Sequence, residues 1–351
     1  MSGTQRLTRR QSGVDVAFTS PGHAGGVKIA LVTESFPPRV DETSDTARHL
    51  VDGLLRHGHE LLVVTMGTGQ ASYRGVRVVR ARRLVSANAV NEALDSFGTQ
   101  HLVALRPHLL GSLALRHGYR RGLPTLAIDP PAVHARAGRT LATNRDRLEN
   151  LAQTGTRAQL WSPGVDLDDH HPGLHDPRLR TEWAKGHRLV VGHAGDGTRA
   201  KVVDRLCRIA TLPDVRLVVF GEGPAASTLR AAGAKVTGSV SGLDLARGIA
   251  SVDVLVQVRK KDEHVPGVRR ALASGVPVVG FDAGGTRDVV VDGHNGLLAD
   301  PGYDSALRRL IGELADPDLR SRLAGHARES VADRSWQVAL DELAGHLPVL
   351  V

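Results

Sequence analysis

Cysteine, aromatic residues and long apolar runs are all scarce in this sequence. Cys207 is the single cysteine among 351 residues, and Phe, Trp and Tyr together make up 3%. One cysteine excludes an internal disulfide framework and argues against an extracellular protein. Cys207 lies on an apolar helical face, so we expect it in the core. No apolar run approaches the ~18 residues of a transmembrane helix, and the N-terminal residues lack a signal-peptide apolar region, so we expect a cytoplasmic location.

The charge is strongly positive, with a formal net charge of +8 at pH 7. Nucleic acid is a disfavoured partner, because the arginines are scattered among acidic residues and stacking aromatics are few. Contact with an anionic membrane surface, anionic substrates, or simply an arginine-rich surface explains the charge at least as well. No histidine has metal-ligand spacing with a Cys or carboxylate cluster, so we predict no metal site and expect four histidines to be solvated: His57, His59, His170 and His171.

The length suits two domains of about 150 residues each. Residues 1–26 are polar and rich in Gly, Ser and Pro, which predicts a disordered tail. From Lys28 to Thr65, strand, helix and strand patterns follow one another, which indicates a parallel sheet. The same alternation resumes after a polar stretch rich in helix breakers. We therefore predict an α/β protein with Rossmann-like domains at 27–165 and 166–330.

The stretch from Arg270 to Asp300 carries the densest pattern. A predicted helix ends before an apolar, β-branched run, Val276 to Phe281, which is typical of a strand buried on both faces. Gly284 and Gly285 follow it, just before another helical start. Adjacent glycines after a parallel strand allow backbone N–H groups to approach a phosphate. Both glycines are therefore candidates for binding a phosphate-bearing ligand.

The same stretch also carries a family resemblance. Its segments Ala-Ser-Gly-Val-Pro-Val-Val, Gly-Gly-x-x-Asp-Val-Val and Asp-Gly-x-x-Gly-Leu-Leu resemble retaining glycosyltransferases of family 4 with the GT-B fold, especially actinobacterial GDP-mannose-dependent α-mannosyltransferases. The resemblance implies two Rossmann-like domains facing across a cleft, and a last helix at 331–351, containing Trp336, that crosses back to the N-terminal domain. It implies a sugar nucleotide as co-substrate, GDP-mannose above others, without a further cofactor. It also implies a lipid or glycan acceptor, and a lipid acceptor would place the protein peripherally at the inner membrane face.

The resemblance assigns roles to individual residues. The family holds the donor diphosphate with an Arg and a Lys after the first C-terminal strand; Lys201 matches the Lys, and Arg199 is a further phosphate-binding candidate. A Glu-x7-Glu pair contacts the sugar and the nucleotide ribose. Asp262, with Glu263 beside it, takes the first position, so these two acids are the catalytic candidates. Arg270 takes the second position and is a candidate for binding the sugar nucleotide.

The sequence also departs from the family pattern. Asp196 stands where the family has the Arg, Glu42 stands at the position of an N-terminal glycine, and a segment is missing near residues 130–133. A carboxylate beside the diphosphate would cost about 1–4 kcal/mol at an effective dielectric near 20. A guanidinium has no acceptor for ribose hydroxyls, so Arg270 would contact phosphate instead.

Three functions therefore stand side by side. The first is an active hexosyltransferase, favoured by Lys201, the glycine pair and the acids at 262 and 263. The second is an inactive pseudo-glycosyltransferase that acts as a binding or partner subunit, favoured by Asp196, Arg270, Glu42 and the missing segment near residues 130–133. The third is a nucleic-acid-binding protein, which has only the net charge in its favour.

Overall fold

A computed structural model describes residues 26–81, 86–131, 137–195, 199–260 and 265–347. Residues 1–25 of the predicted tail lie outside these ranges. The chain forms two sheets that follow one another in sequence, each covered by helices. No helix in the described ranges is both long and apolar enough to cross a membrane.

The first sheet has eight strands: β1 (Lys28–Thr33), β2 (Glu60–Met66), β3 (Ser72–Tyr73), β4 (Val76–Ala81), β5 (His101–Leu105), β6 (Thr125–Ile128), β7 (Arg139–Ala142) and β8 (Gln159–Leu160). Their order across the sheet is β3-β4-β2-β1-β5-β6-β7-β8, and β3 pairs antiparallel with β4 while the other pairings are parallel. The helices of this half are α1 (Glu42–Arg56), α2 (Ala87–Phe97), α3 (Leu109–Arg121) and α4 (Arg145–Gln153).

The second sheet has six parallel strands: β9 (Leu189–Ala194), β10 (Val215–Phe220), β11 (Lys235–Val236), β12 (Val254–Gln257), β13 (Val278–Phe281) and β14 (Gly296–Ala299). They lie in the order β11-β10-β9-β12-β13-β14. The helices are α5 (Pro177–Ala184), α6 (Ala200–Ala210), α7 (Ala226–Ala231), α8 (Gly242–Ala250), α9 (Pro266–Ala273), α10 (Gly284–Arg287), α11 (Asp304–Glu313), α12 (Pro317–Ala327) and α13 (Trp336–His346). Short 3-10 turns occupy Pro172–Leu174 and Glu329–Val331.

Each sheet is buried on both faces, as its apolar strands predict. In β1, Ile29 and Leu31 pack into the core on one face, with α1 and α13. Ala30 and Val32 pack on the other face, with α2 and α3. Successive residues of a strand point to opposite faces, so a continuous apolar run has to be covered on both sides. Cys207 of α6 is partly buried against the core of the second sheet.

The last helix crosses back to the N-terminal half, which confirms the arrangement expected from the family resemblance. Trp161 donates its Nε1–H to the carbonyl oxygen of Ala339 at 2.8 Å. The Trp336 ring stacks on His49 of α1 with ring centroids 4.3 Å apart. The backbone at Val165 pairs with Arg334 and Trp336, which fixes where α13 begins. The boundary residues predicted near 165 and 330 stay predictions.

Two features differ from the sequence expectations. Helix α5 was not anticipated, although its start has ordinary signals: Pro177 is its first residue, and Asp176 accepts the N–H groups of Arg178 and Leu179. The expectation that His170 is solvated is wrong, because its side chain is buried. The reason is tertiary, since Arg328 at the end of α12 donates to the carbonyl oxygens of His170 and Leu167 and so holds this segment against the C-terminal half.

Two histidines are buried where the halves of the chain meet. Burial, followed by the nearby charge of Arg270 for His170 and of Arg48 for His49, lowers the pKa of each imidazole to about 4. Arg48 Nη2 lies 2.9 Å from His49 Nε2, and because a guanidinium only donates, that nitrogen accepts. Both histidines are therefore neutral at pH 7.

Gly164 gives the first prediction. A Cβ built at this position would lie 2.5 Å from both the Cα and the N of Trp336, which are backbone atoms. Gly164→Ala should therefore force apart the linker and α13 and lower the free energy of unfolding by about 1–3 kcal/mol, measured by urea denaturation. The control is Gly345→Ala in α13, where a Cβ meets nothing within 4 Å. Equal stability of the two variants would show that this close approach is unimportant.

The buried imidazoles give a second prediction. A histidine whose pKa is about 4 when folded and about 6.5 when unfolded stabilises the protein fully above pH 6.5 and loses that stabilisation as the pH falls towards 4. Between pH 7 and pH 5, the unfolding free energy of the wild type should fall about 2 kcal/mol further than that of His49→Gln. The same comparison at pH 8, where His49 is neutral in both states, gives the cost of the substitution itself. Parallel pH profiles would contradict the low pKa of His49.

Candidate functional site

A cavity of about 660 Å³ lies between the two halves of the chain. Its N-terminal wall is formed by the loop at 37–41, the start of α1 and Arg106 after β5. Its C-terminal wall is formed by residues at the ends of β9, β10 and β12, by the segment 239–245 and by the start of α9. Open parallel sheets bind ligands at the carboxyl ends of their strands, and this volume is typical of small-molecule sites. The cavity is therefore the leading site for a ligand.

The N-terminal wall is acidic where α1 begins. Asp41 caps the helix by accepting the Ser44 N–H at 2.8 Å and the Ser35 hydroxyl at 2.6 Å. Glu42 is the first residue of the helix and lines the cavity, as does Asp45 one turn on. Carboxylates stabilise a helix N-terminus, but here they place negative charge where a phosphate would otherwise bind. Glu42, which stands where the family pattern has a glycine, thus lies in the cavity itself.

Arg270 crosses from the C-terminal wall to pair with the N-terminal wall. Its Nη2 lies 2.6 Å from Asp45 Oδ2, and Arg48 Nη2 lies 3.0 Å from Asp45 Oδ1. Burial would raise the pKa of Asp45, but the charges of Arg270 and Arg48 outweigh it and lower the pKa. The pair ties the two walls together, and Arg270→Glu alone would place two carboxylates face to face.

The glycine pair Gly284 and Gly285 lies at the start of α10 but does not line the cavity. The Gly284 N–H donates to Asp146 Oδ2 of α4 at 2.7 Å, and Arg287 lies 3.3 Å from the same carboxylate. In return, the Arg145 N–H donates to Asp288 at 2.7 Å. In this arrangement the Asp146 carboxylate accepts the Gly284 N–H that the sequence predicts to bind a phosphate. The phosphate-binding role stays a prediction.

The remaining candidates either lie outside the cavity lining or fall outside the described residues. Arg199 immediately precedes α6, without a side-chain hydrogen bond to the helix, and Lys201 is the second residue of α6. Both residues are exposed, and neither lines the cavity. Asp262 and Glu263, the predicted catalytic acids, lie outside the described residues, as does Asp196. Among the residues that the structure describes, no three His, Cys, Asp or Glu side chains are grouped to hold a metal ion.

Several residues of the cavity are not among the candidates predicted from the sequence, and Asp45 and Arg106 are two of them. Asp45 has no sequence signal of a ligand site, because a carboxylate inside a predicted helix is equally typical of an exposed helix surface. Arg106 is the other, and here a signal existed: it directly follows β5, at the strand end where parallel sheets bind ligands.

Comparison with known proteins shows the family. The profile of the family described as "Glycosyl transferases group 1" matches residues 189–316. The GDP-mannose-dependent alpha-mannosyltransferase of Mycobacterium tuberculosis is 33% identical over 365 aligned residues, covering 92% of this chain and 96% of that protein. The protein of the same name from Mycolicibacterium smegmatis is 32% identical and covers 91% of this chain and 96% of its own length.

A solved structure shows the same fold. The crystal structure of Anabaena HepE in complex with UDP and glucose superposes with a TM-score of 0.77 and 16% identity, covering 92% of this chain and 99% of that one. At that identity the likeness establishes the fold alone, which is GT-B as predicted. The identity to the mannosyltransferases over nine-tenths of the chain establishes more: the protein belongs to the group 1 glycosyl transferase family.

Proposed function

We propose that the protein transfers mannose from GDP-mannose to a hydroxyl group of a lipid or glycan acceptor, with retention of configuration at the sugar. The observation that carries the proposal is the cavity of about 660 Å³ at the strand ends of both sheets, in a chain 33% identical to a GDP-mannose-dependent enzyme over nearly its whole length. The donor nucleotide would lie against the second sheet and the acceptor against the first. A lipid acceptor would place the reaction at the inner membrane face.

The transfer requires positive charge at the leaving group. When the bond between the sugar and the diphosphate breaks, its electrons remain on the phosphate oxygen, and hydrogen-bond donors that are already in place stabilise the new charge. The cavity wall supplies five arginines: Arg39, Arg48, Arg106, Arg259 and Arg270. It also supplies five carboxylates: Asp41, Glu42, Asp45, Asp169 and Glu222. Donor binding therefore depends on which of these arginines exchange a carboxylate partner for a phosphate of the donor.

A second candidate is a protein of this family that binds a partner or ligand without turnover. The Asp45–Arg270 pair favours it, because the pair bridges the cavity walls and occupies two polar side chains that a substrate could use. Glu42 in the cavity lining favours it too, since its carboxylate would repel a diphosphate. Binding and turnover have to be measured separately to choose between the two functions.

Calorimetric titration of the full chain separates the possibilities. We expect GDP and GDP-mannose to bind, with UDP-glucose weaker, because the relatives at 32–33% identity use GDP-mannose. Incubation with GDP-[14C]mannose and an actinobacterial lipid extract should transfer label to the lipid fraction. Binding without any transfer or GDP release would support the second candidate. Absence of binding to all three nucleotides would reject a sugar-nucleotide site.

A further inference from the structure

Arg106 and Asp129 stand side by side at the carboxyl ends of two neighbouring strands. Arg106 directly follows β5 and Asp129 directly follows β6, and these strands are parallel with Leu105 opposite Ile128. The carboxyl ends of parallel strands are where open sheets bind ligands. Arg106 also lines the cavity between the domains.

Both residues hold a backbone conformation that side chains disfavour. The φ of Arg106 is 45° and that of Asp129 is 54°, in the left-handed region that costs any residue other than glycine some stability. Backbone hydrogen bonds impose it: the Arg106 N–H donates to Ile128 and the Asp129 N–H to Leu141, each at 2.8 Å. Strain kept at two adjacent strand ends, beside a cavity, is a mark of a functional position.

The side chains form a partly buried charged group. The Asp129 carboxylate is 1% exposed and lies 3.7 Å from Arg106 Nε and 3.6 Å from Arg147 Nε. Arg147 is 11% exposed, whereas Arg106 is 29% exposed towards the cavity. The Asp129 carboxylate thus contacts both guanidinium groups and restrains that of Arg106 from its buried side.

The backbone donors next to Arg106 are already in use. Glu34 Oε1 accepts the N–H groups of His108, Leu110 and Gly111 at 3.0, 2.9 and 3.2 Å, so a protein carboxylate occupies the N-terminus of α3. A ligand at this part of the wall would therefore meet the Arg106 side chain rather than the helix N-terminus.

From this geometry we propose that Arg106 binds a phosphate group of the substrate and that Asp129 is its positioning residue. A guanidinium offers two parallel N–H donors to phosphate oxygens, and a fixed orientation makes both usable at once. The phosphate belongs either to the diphosphate of the donor or to a phosphate-bearing acceptor. The inference rests on the proposed function, since it assigns a ligand contact within the same cleft.

The test uses the full chain and two probes. The first is calorimetric titration with GDP; the second is a 31P NMR titration of inorganic phosphate into GDP-saturated protein, which reports a phosphate site separate from the donor. If Arg106 holds the donor, Arg106→Gln lowers GDP affinity about tenfold or more. If Arg106 holds an acceptor phosphate, the variant keeps GDP affinity and loses phosphate binding. Arg106→Lys keeps the charge without the paired donors. Its affinity for the probe should lie between those of Arg106→Gln and the wild type.

Arg121→Gln is the matched control, because Arg121 ends α3, is 57% exposed and pairs with Asp95 at 2.6 Å. It removes the same charge outside the cavity and should bind both probes like the wild type. Asp129→Asn should lower the affinity for whichever probe Arg106 binds. In the Arg106→Gln variant, the same substitution should cause no further loss of affinity. A merely structural Asp129 would weaken binding in both backgrounds. Thermal unfolding of each variant verifies its fold.

The outcomes are distinct. Wild-type protein that binds neither probe would overturn the proposed function and this inference together. Wild-type protein that binds, alongside an Arg106→Gln variant that binds both probes equally well, would overturn this inference and leave the proposed function standing.

Discussion

The return of α13 to the N-terminal half holds the two sheets so that their strand ends face one cleft. Three contacts make this attachment: the Trp161 indole donates to the Ala339 carbonyl, Trp336 stacks on His49, and the backbone at Val165 pairs with the start of α13. The buried indoles and imidazole stabilise it through apolar area and through one satisfied indole N–H. This attachment joins the two halves at a second place besides the linker, so it restricts how far the walls of the cavity can move apart.

Charge pairs between the halves add a second constraint. Asp45 pairs with Arg270 at the cavity. Away from it, Asp146 of α4 accepts the Gly284 N–H of α10, and Asp288 after α10 accepts the Arg145 N–H of α4. Partly buried pairs of this kind fix geometry more than they add net stability. They also commit cations and N–H groups that a diphosphate could otherwise use. The structure therefore joins a preserved glycosyltransferase scaffold to a cleft whose charges already neutralise one another in part.

Local sequence patterns predicted the longer apolar strands, because a parallel sheet covered on both faces requires continuous apolar runs such as Lys28–Thr33. The two-residue strands β3 and β8 contain no such run and were not predicted. The crossing of α13 came from family resemblance, since an amphipathic helix does not reveal its partner. The position of Arg270 in the cavity followed from the family resemblance, in which Arg270 takes the second position of the Glu-x7-Glu pair. The partner of Gly284 could not be foreseen, because Asp146 is 138 residues away in sequence. Arg106 could have been found by asking which side chains follow the predicted strands.

The central claim is that the cavity between the domains is a sugar-nucleotide site, and hydrogen–deuterium exchange of the full chain with and without GDP-mannose tests it most directly. We expect slower exchange in peptides that contain cavity residues from both halves, around Val40 to Asp45 and around Ser239 to Gly242. Slower exchange confined to surfaces away from these segments, or none at saturating GDP-mannose, would contradict it.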